Sequence, residues 1–375
     1  MPAETGRKIV RRPLAVNARF LCQEVTGTQR FAVNISRELK KLRPDTIFLA
    51  PPDITNLAAA QELGPKIIGD KGYRLQKRLG LPASLFWEQY TLPRFLAENG
   101  YPRLLNLVNQ APLLYSNNLI TIHDLAFKLY PQYFSRRFSA YYNFMMPRLS
   151  RRARRIFTVS RHSKADICRH FLIPGNKLTV IYNATDFEPS GNEPPCEPPY
   201  ILSVGSLEPR KNISRLISAF TKLGRQDIRL VITGKASGKI FREDPMLNAS
   251  NCRDCSKNIY FTGYLDDREL ARYYTNALLF CYPSLYEGFG LPPLEAQACG
   301  CPVLLSDRSA LPEVFGDSAI YCDPEDVADI ADKLRKLIDD SGLRARLKQA
   351  GYANCRRFNW HDATTKILEH LEPGT

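Results

Sequence analysis

Residues 278–300 read LLFCYPSLYEGFGLPPLEAQACG. Leu278 to Tyr282 is an unbroken apolar run, the pattern of a strand covered on both faces. Ser284 to Gly290 is a loop in which Gly288 and Gly290 let the backbone approach a ligand closely. Pro292 and Pro293 suit the first turn of a helix, expected over 293–299, and Gly300 suits its end. A strand that passes through a glycine loop into a helix is the unit of a parallel sheet with helices on both faces. Ligands of such sheets bind beyond the carboxyl ends of the strands. Two carboxylates flank this loop. Glu287 precedes Gly-Phe-Gly and would point into a cleft. Glu295 is expected in the first helical turn, where it can accept hydrogen bonds from both hydroxyls of a ribose, each worth about 1.5–3 kcal/mol.

The same unit recurs along the chain. Tyr200–Val204 reads as a strand, and Asn212 as the N-cap of a helix with Ile213, Leu216, Ile217, Phe220 and Leu223 on one stripe. The loop between them, Gly205 to Lys211, carries Arg210 and Lys211 at a helix N-terminus, which makes a pocket for phosphate or pyrophosphate. Strands are expected at Ile228–Ile232, Ile259–Thr262, Val303–Ser306 and Ala319–Tyr321, with helices at 267–276 and 325–339. In the first half, strand Leu14–Ala18 leads through Thr26-Gly27-Thr28 into a helix whose Phe31, Ile35, Leu39 and Leu42 share a face. Further strands are expected at Thr46–Ala50, Leu104–Val108, Leu119–Ile122, Ile156–Val159 and Leu178–Tyr182, with helices at 136–153 and 161–171. Between the halves, ATDFEPSGNEPPCEPP (184–199) holds five Pro and reads as a stiff linker. The tail, 355–372, reads as helical. The fold expected is α/β, with two doubly wound domains, 1–185 and 198–356, facing a cleft.

Composition narrows the function. The 375 residues are 44% apolar and 24% charged, values of a globular chain. No apolar run is long enough to span a membrane. The basic start, MPAETGRKIVRRPLAV, lacks the apolar core of a secretory signal. Most of the ten Cys lie in apolar or mixed stretches and read as buried reduced thiols of a cytosolic protein. Residues 1–190 carry 29 Lys/Arg against 13 Asp/Glu, whereas residues 191–375 carry 23 against 25. The basic half implies an anionic partner. Its clusters, Arg151-Arg152-Ala153-Arg154-Arg155, Arg136-Arg137 and Lys71 to Arg78 with Tyr73, lie near Tyr141, Tyr142 and Phe144. That mixture suits reversible binding to an anionic membrane surface. No nucleic-acid motif is present, so nucleic acid is not expected as a partner. Cys252-x-x-Cys255 lacks a second Cys or His pair at zinc spacing and reads as a surface loop. No Asp-x-Asp metal motif and no nucleophile paired with a base is seen.

The segment E-G-F-G-L-P-P-L-E resembles the paired-glutamate signature of the retaining nucleotide-sugar glycosyltransferases of family 4, which have two Rossmann-like domains (the GT-B fold). The resemblance extends to Gly27, Ile122-His123-Asp124, Thr158-Val159-Ser160, Ile181-Tyr182-Asn183 and the Glu-Pro-Arg-Lys-Asn turn. It implies that Glu295 holds the nucleotide ribose and Glu287 the donor sugar. Backbone amides at Gly288, Phe289 and Gly290 would meet sugar and phosphates. Arg210 and Lys211 would neutralise the diphosphate, Gly27 would approach it, and His123 would lie by the reacting sugar. The C-terminal helix, 357–375, would cross back to the first domain. Ser206 stands where many members carry Arg, so Lys211 is the firmer phosphate residue. The first loop has one Gly where many members have two.

The resemblance further implies front-side displacement with retention, no metal and no cofactor beyond the nucleotide-sugar substrate. The leading expectation is transfer of a hexose to a glycan or polyprenyl-diphosphate-linked acceptor in polysaccharide or lipopolysaccharide assembly, at the cytoplasmic face of the membrane. Overall similarity points to mannosyltransferases, hence to GDP-mannose, with UDP-sugars open. An epimerase or phosphorylase of this architecture, or a non-catalytic protein that retains the donor pocket, are the alternatives. An epimerase would add an acid/base set, and a phosphorylase a pyridoxal-phosphate lysine in a far longer chain; neither is seen.

Overall fold

The computed structural model describes residues 13–69, 71–80, 83–100, 102–191, 193–196, 199–234 and 258–371. These residues form two parallel sheets. The first holds β1 (Leu14–Asn17), β2 (Ile47–Ala50), β3 (Lys66–Ile67), β4 (Arg103–Asn106), β5 (Asn118–Thr121), β6 (Arg155–Thr158) and β7 (Leu178–Val180), in the order β3-β2-β1-β4-β5-β6-β7. The second holds β8 (Tyr200–Val204), β9 (Arg229–Thr233), β10 (Ile259–Gly263), β11 (Leu279–Tyr282), β12 (Val303–Ser306) and β13 (Ile320–Cys322), in the order β10-β9-β8-β11-β12-β13. All strand pairs run parallel. The central strands are buried along their whole length, as sheets covered by helices on both faces require. Each sheet changes its winding direction once, between β1 and β4 and between β8 and β11. Those switch points are where such folds bind ligands.

The first switch point is filled by the protein itself. Glu88, buried on a π-helical turn (Trp87–Thr91), accepts from Arg19 (2.9 Å) and from Asn17 at the end of β1 (3.0 Å). Asn17 also donates to Asn106 at the end of β4 (3.0 Å). Arg19 reaches on to Gln110 (2.6 Å), which donates to the Tyr142 hydroxyl (2.8 Å). A buried ion pair bonded in this way occupies the first switch point.

Several expectations are corrected. The stretch between β2 and β4 holds helices Leu57–Leu63 and Lys71–Arg78 and one continuous helical run over 83–98, with the π-helical turn in its middle. The first two are too short to show periodicity, and the π turn breaks the 3.6-residue period of the third. The helix expected from 293 begins at Leu291, so Glu295 lies in its second turn. In place of one helix over 355–372, a first helix, Ser341–Cys355, ends where that stretch begins, and a second, Trp360–Glu369, fills the rest. Asn359 caps the second by accepting from the Asp362 amide (2.7 Å). That last helix packs on helix Gly27–Leu42 of the first domain, with Trp360 edge-on to Phe31. His370 and Thr179 are hydrogen-bonded at 2.9 Å, which ties the chain end to β7. The pair Cys252 and Cys255 lies outside the described residues. The eight described Cys are free thiols, four of them buried.

Candidate functional site

The loops after β8 and β11 meet at the second switch point. After β8 the chain turns at Gly205 (φ +153°) into a single 3-10 turn, Pro209–Lys211. A Cβ on Gly234 would lie 1.8 Å from the Gly205 carbonyl, so the ends of β8 and β9 close only over glycine. Asn212 does not cap the next helix. It sits in the left-handed region, and its side chain donates to the carbonyls of Pro283 (3.0 Å) and Pro324 (2.6 Å). This ties the basic turn to the loop after β11.

Arg210 and Lys211 therefore both face Glu287. Lys211 Nζ is 2.7 Å and Arg210 3.1 Å from Glu287 Oε1. Lys211 also donates to the Tyr282 hydroxyl, and Arg210 to the Tyr286 carbonyl (2.7 Å). Burial alone would raise the Glu287 pKa. The two cations overcome it and hold the carboxyl down to about 2. Glu287 is thus an anion at neutral pH, fixed in direction, and cannot donate a proton. Its amide donates to Ser309 Oγ (2.9 Å).

The next residues touch the first domain. A Cβ on Gly288 would lie 2.8 Å from the His123 carbonyl and 2.9 Å from Asp124 Cβ. Ser163 donates to the Gly288 carbonyl (3.3 Å). Gly290 is left-handed (φ +99°), and a Cβ there would meet Leu311 at 2.6 Å. The Phe289 side chain turns away from the cleft into the core, between Tyr182 and Phe358. Only its backbone faces the loop's concavity. His123 is buried, edge-on to Phe31, with Nε2 2.9 Å from the Leu107 carbonyl. A carbonyl only accepts, so Nε2 carries the proton. Burial lowers the His123 pKa, so the ring is neutral and Nδ1 is an acceptor.

Two helix N-termini converge beside these groups. Gly27 opens helix Gly27–Leu42, and a Cβ on it would stand 3.9 Å from Leu291, which opens helix Leu291–Ala298. Paired N-termini favour anions. One turn into the latter helix, buried Glu295 accepts from the Tyr274 hydroxyl (3.1 Å). Burial raises its pKa.

Among the described residues, no group of three or more His, Cys, Asp and Glu is placed to hold a metal ion. The basic clusters of the first domain are only partly as expected. Tyr73 is buried with its hydroxyl on Asp53, and Tyr142 is buried against Gln110. Phe144 is exposed, with the Arg148 guanidinium 3.6 Å from its ring centre.

Residues 25–189 match the family model described as Glycosyltransferase Family 4, and residues 185–354 the model described as Glycosyl transferases group 1. The chain belongs to glycosyltransferase family 4. It is 32% identical over 264 residues to O-antigen chain mannosyltransferase B of Escherichia coli, covering 66% of this chain and 68% of that one. It is 34% identical over 200 residues to the serotype-specific mannosyltransferase WbdA of Escherichia coli, covering 52% of this chain but only 24% of that longer protein. In architecture it is similar to Anabaena HepE in complex with UDP-glucose, with a TM-score of 0.74 at 17% identity, covering 96% of this chain and 99% of that one. The GT-B fold is thereby established.

Three contributors to the cleft gave no signal in the sequence. Arg30 and Asp267 are 237 positions apart and meet across the domains, with Arg30 next to Glu295. Glu313 accepts from the amides of Arg161 (2.7 Å) and His162 (2.9 Å), capping helix Arg161–Phe171 from the opposite domain. Tyr286 donates to Asp166 (2.8 Å), again across the domains. Pairings between domains leave no local pattern, so periodicity cannot find them.

Proposed function

We propose that the protein is a retaining, metal-independent hexosyltransferase that moves mannose from GDP-mannose to a glycan or polyprenyl-diphosphate-linked acceptor in polysaccharide or lipopolysaccharide assembly. The observation that carries the reading is the cluster of Lys211, Arg210 and Glu287 at the second switch point, beside two converging helix N-termini. Such a place suits a diphosphate held against a sugar. The names of the two Escherichia coli relatives support the mannosyl part. The second reading is a UDP-sugar donor, favoured by the ligand named for HepE.

In this reading Glu295 takes the ribose hydroxyls, and the diphosphate lies between Gly27 and the amides of Gly288 to Gly290. Lys211 and Arg210 carry the charge that develops on the leaving diphosphate. Preorganised cations and amides in a dry site are strong transition-state stabilisers. Glu287, ionised and held by both cations, grips donor-sugar hydroxyls and acts as neither acid nor attacking group. His123 offers Nδ1 and its carbonyl to the sugar face. The acceptor hydroxyl attacks from the side of the departing phosphate, which takes its proton. The basic first domain, with exposed Phe144 beside Arg148, would rest on an anionic membrane at the cytoplasmic face. Among the described residues no helix is long and apolar enough to cross a membrane.

Thermal melting with GDP, UDP, ADP and their sugars, with Mg²⁺ and separately in EDTA, tests the donor site. A ligand at 100 times its dissociation constant adds about 2.7 kcal/mol. A shift with GDP and GDP-mannose is expected. Absence of any shift refutes the donor pocket. Loss of the shift in EDTA refutes metal independence. The anomeric configuration of the product, read by NMR, tests retention.

A further inference from the structure

Arg30 stands one turn into helix Gly27–Leu42, on the opposite side of the cleft from Glu295. Its two terminal nitrogens are both taken by Asp267, which pairs with them in a fork; one of these bonds measures 2.8 Å. Of the donors left over, Nε–H is on the nitrogen paired with Glu295. The Nε to Oε1 separation is 4.0 Å, too long for a hydrogen bond. The other Glu295 oxygen is held by Tyr274. The guanidinium is mostly buried and lies 5.5 Å from the Phe187 ring centre, so it has little freedom to swing elsewhere. The space beside it is a cavity of about 650 Å³ that Arg30, Asp267, Glu295, Tyr264 and Leu291 help to line.

A separation of 4.0 Å between a donor and an acceptor is the gap one hydroxyl oxygen bridges. An oxygen about 2.8 Å from each closes the triangle and satisfies both. We propose that Arg30 is a further donor-site residue. A ribose hydroxyl accepts from Arg30 Nε–H and donates to Glu295 Oε1, so the nucleoside is gripped from both domains at once. Asp267 is a positioning residue. By holding one N–H of each terminal nitrogen it fixes the guanidinium with its Nε edge towards the ribose. Lysine could not replace arginine here, because a point charge has no second edge for Asp267 to hold. The inference rests on the donor-site reading given above.

The test is calorimetric titration of GDP and UDP, each beside its 2′-deoxy and 3′-deoxy forms. The proteins are the full-length wild type, Arg30→Ala, Arg30→Lys and Asp267→Asn. The wild type is expected to prefer the ribonucleotide over one deoxy form by about tenfold, the lower end for a bond to a charged group. Arg30→Ala and Arg30→Lys are expected to lower that ratio by about threefold while nucleotide still binds, since the bond to Glu295 remains. Asp267→Asn is expected to reduce it partly. Arg30→Lys keeps the charge and the stem, so it serves even where the alanine variant folds poorly. A ratio unchanged in both Arg30 variants overturns the inference and leaves the donor site standing. Tighter nucleotide binding in them also overturns it, since Arg30 would then compete with the ribose. If the wild type binds neither GDP nor UDP, the donor-site reading fails and the inference with it.

Discussion

Replacing Gly288 by Ala tests how tightly the two domains must close over the donor. The new Cβ would stand 2.8 Å from the His123 carbonyl and 2.9 Å from Asp124 Cβ. Ordinary contact begins near 3.4 Å, so something must yield by about 0.6 Å. The His123 carbonyl is backbone, and its residue is pinned by two bonds: its amide to Asn109 (2.8 Å) and its ring to Leu107. The easier motion is a slight opening of the cleft. Overpacking of this size costs about 1–3 kcal/mol. Because the clash lies between domains, that cost falls on closure, and each fold keeps its own core. Turnover should drop roughly 5- to 150-fold, since about 1.4 kcal/mol is a factor of ten. The melting temperature should move by only a few degrees. The assay is release of nucleoside diphosphate from the donor, with nucleotide affinity measured beside it. Wild-type turnover in Gly288→Ala would refute the reasoning. So would loss of the folded state, because the clash would then act within a domain.

Acid sensitivity should report Glu287. Its folded pKa, about 2, lies below the ordinary 4.5, so its contribution to stability is complete above pH 4.5 and is lost as pH falls towards 2. Urea melts from pH 6 to 3 should show this loss, and Glu287→Gln should lack it. Glu287→Gln should also cost about 3–5 kcal/mol at pH 7, because Lys211 and Arg210 lose their buried partner. Gly234→Ala should destabilise by more than about 2 kcal/mol in the same melts, as its Cβ would overlap the Gly205 carbonyl. Glu313→Gln should cost about 1 kcal/mol, since the capped amides keep a neutral acceptor but lose the anion at a helix N-terminus. An unchanged midpoint would refute that capping role.

The strands and the central loops were legible from sequence because local chemistry fixes them. An apolar run followed by glycine and proline, as in Leu278 to Pro293, has few other solutions. The positions of Arg210, Lys211 and Glu287 in strand-to-helix loops could likewise be read. Their mutual pairing could not, since it depends on Asn212 bonding Pro283 and Pro324 rather than capping a helix. The inward turn of Phe289 was hidden for a related reason. The sequence points only to its backbone amide, and the side chain's place is set by Tyr182 and Phe358 from elsewhere in the chain. Tyr73 and Tyr142 were hidden in the same way, as each sits in a basic stretch but is satisfied by a partner from another element, Asp53 and Gln110.

The described residues start and finish on the same domain, because helix Trp360–Glu369 returns to helix Gly27–Leu42. The second domain is therefore an insertion, joined to the first by two crossings, one through the Pro-rich segment after Ala184 and one at Arg356–Asn359. A single tether would let the halves swivel in any direction. Two tethers side by side act like the paired pins of a door, leaving rotation about the line between them as the easy motion. Such a movement opens and shuts the cleft while keeping Gly288 opposite His123 and Asp267 opposite Arg30. The return of the last helix thus fixes the alignment of groups far from it, and cutting the chain after Cys355 would free the door from one of its pins.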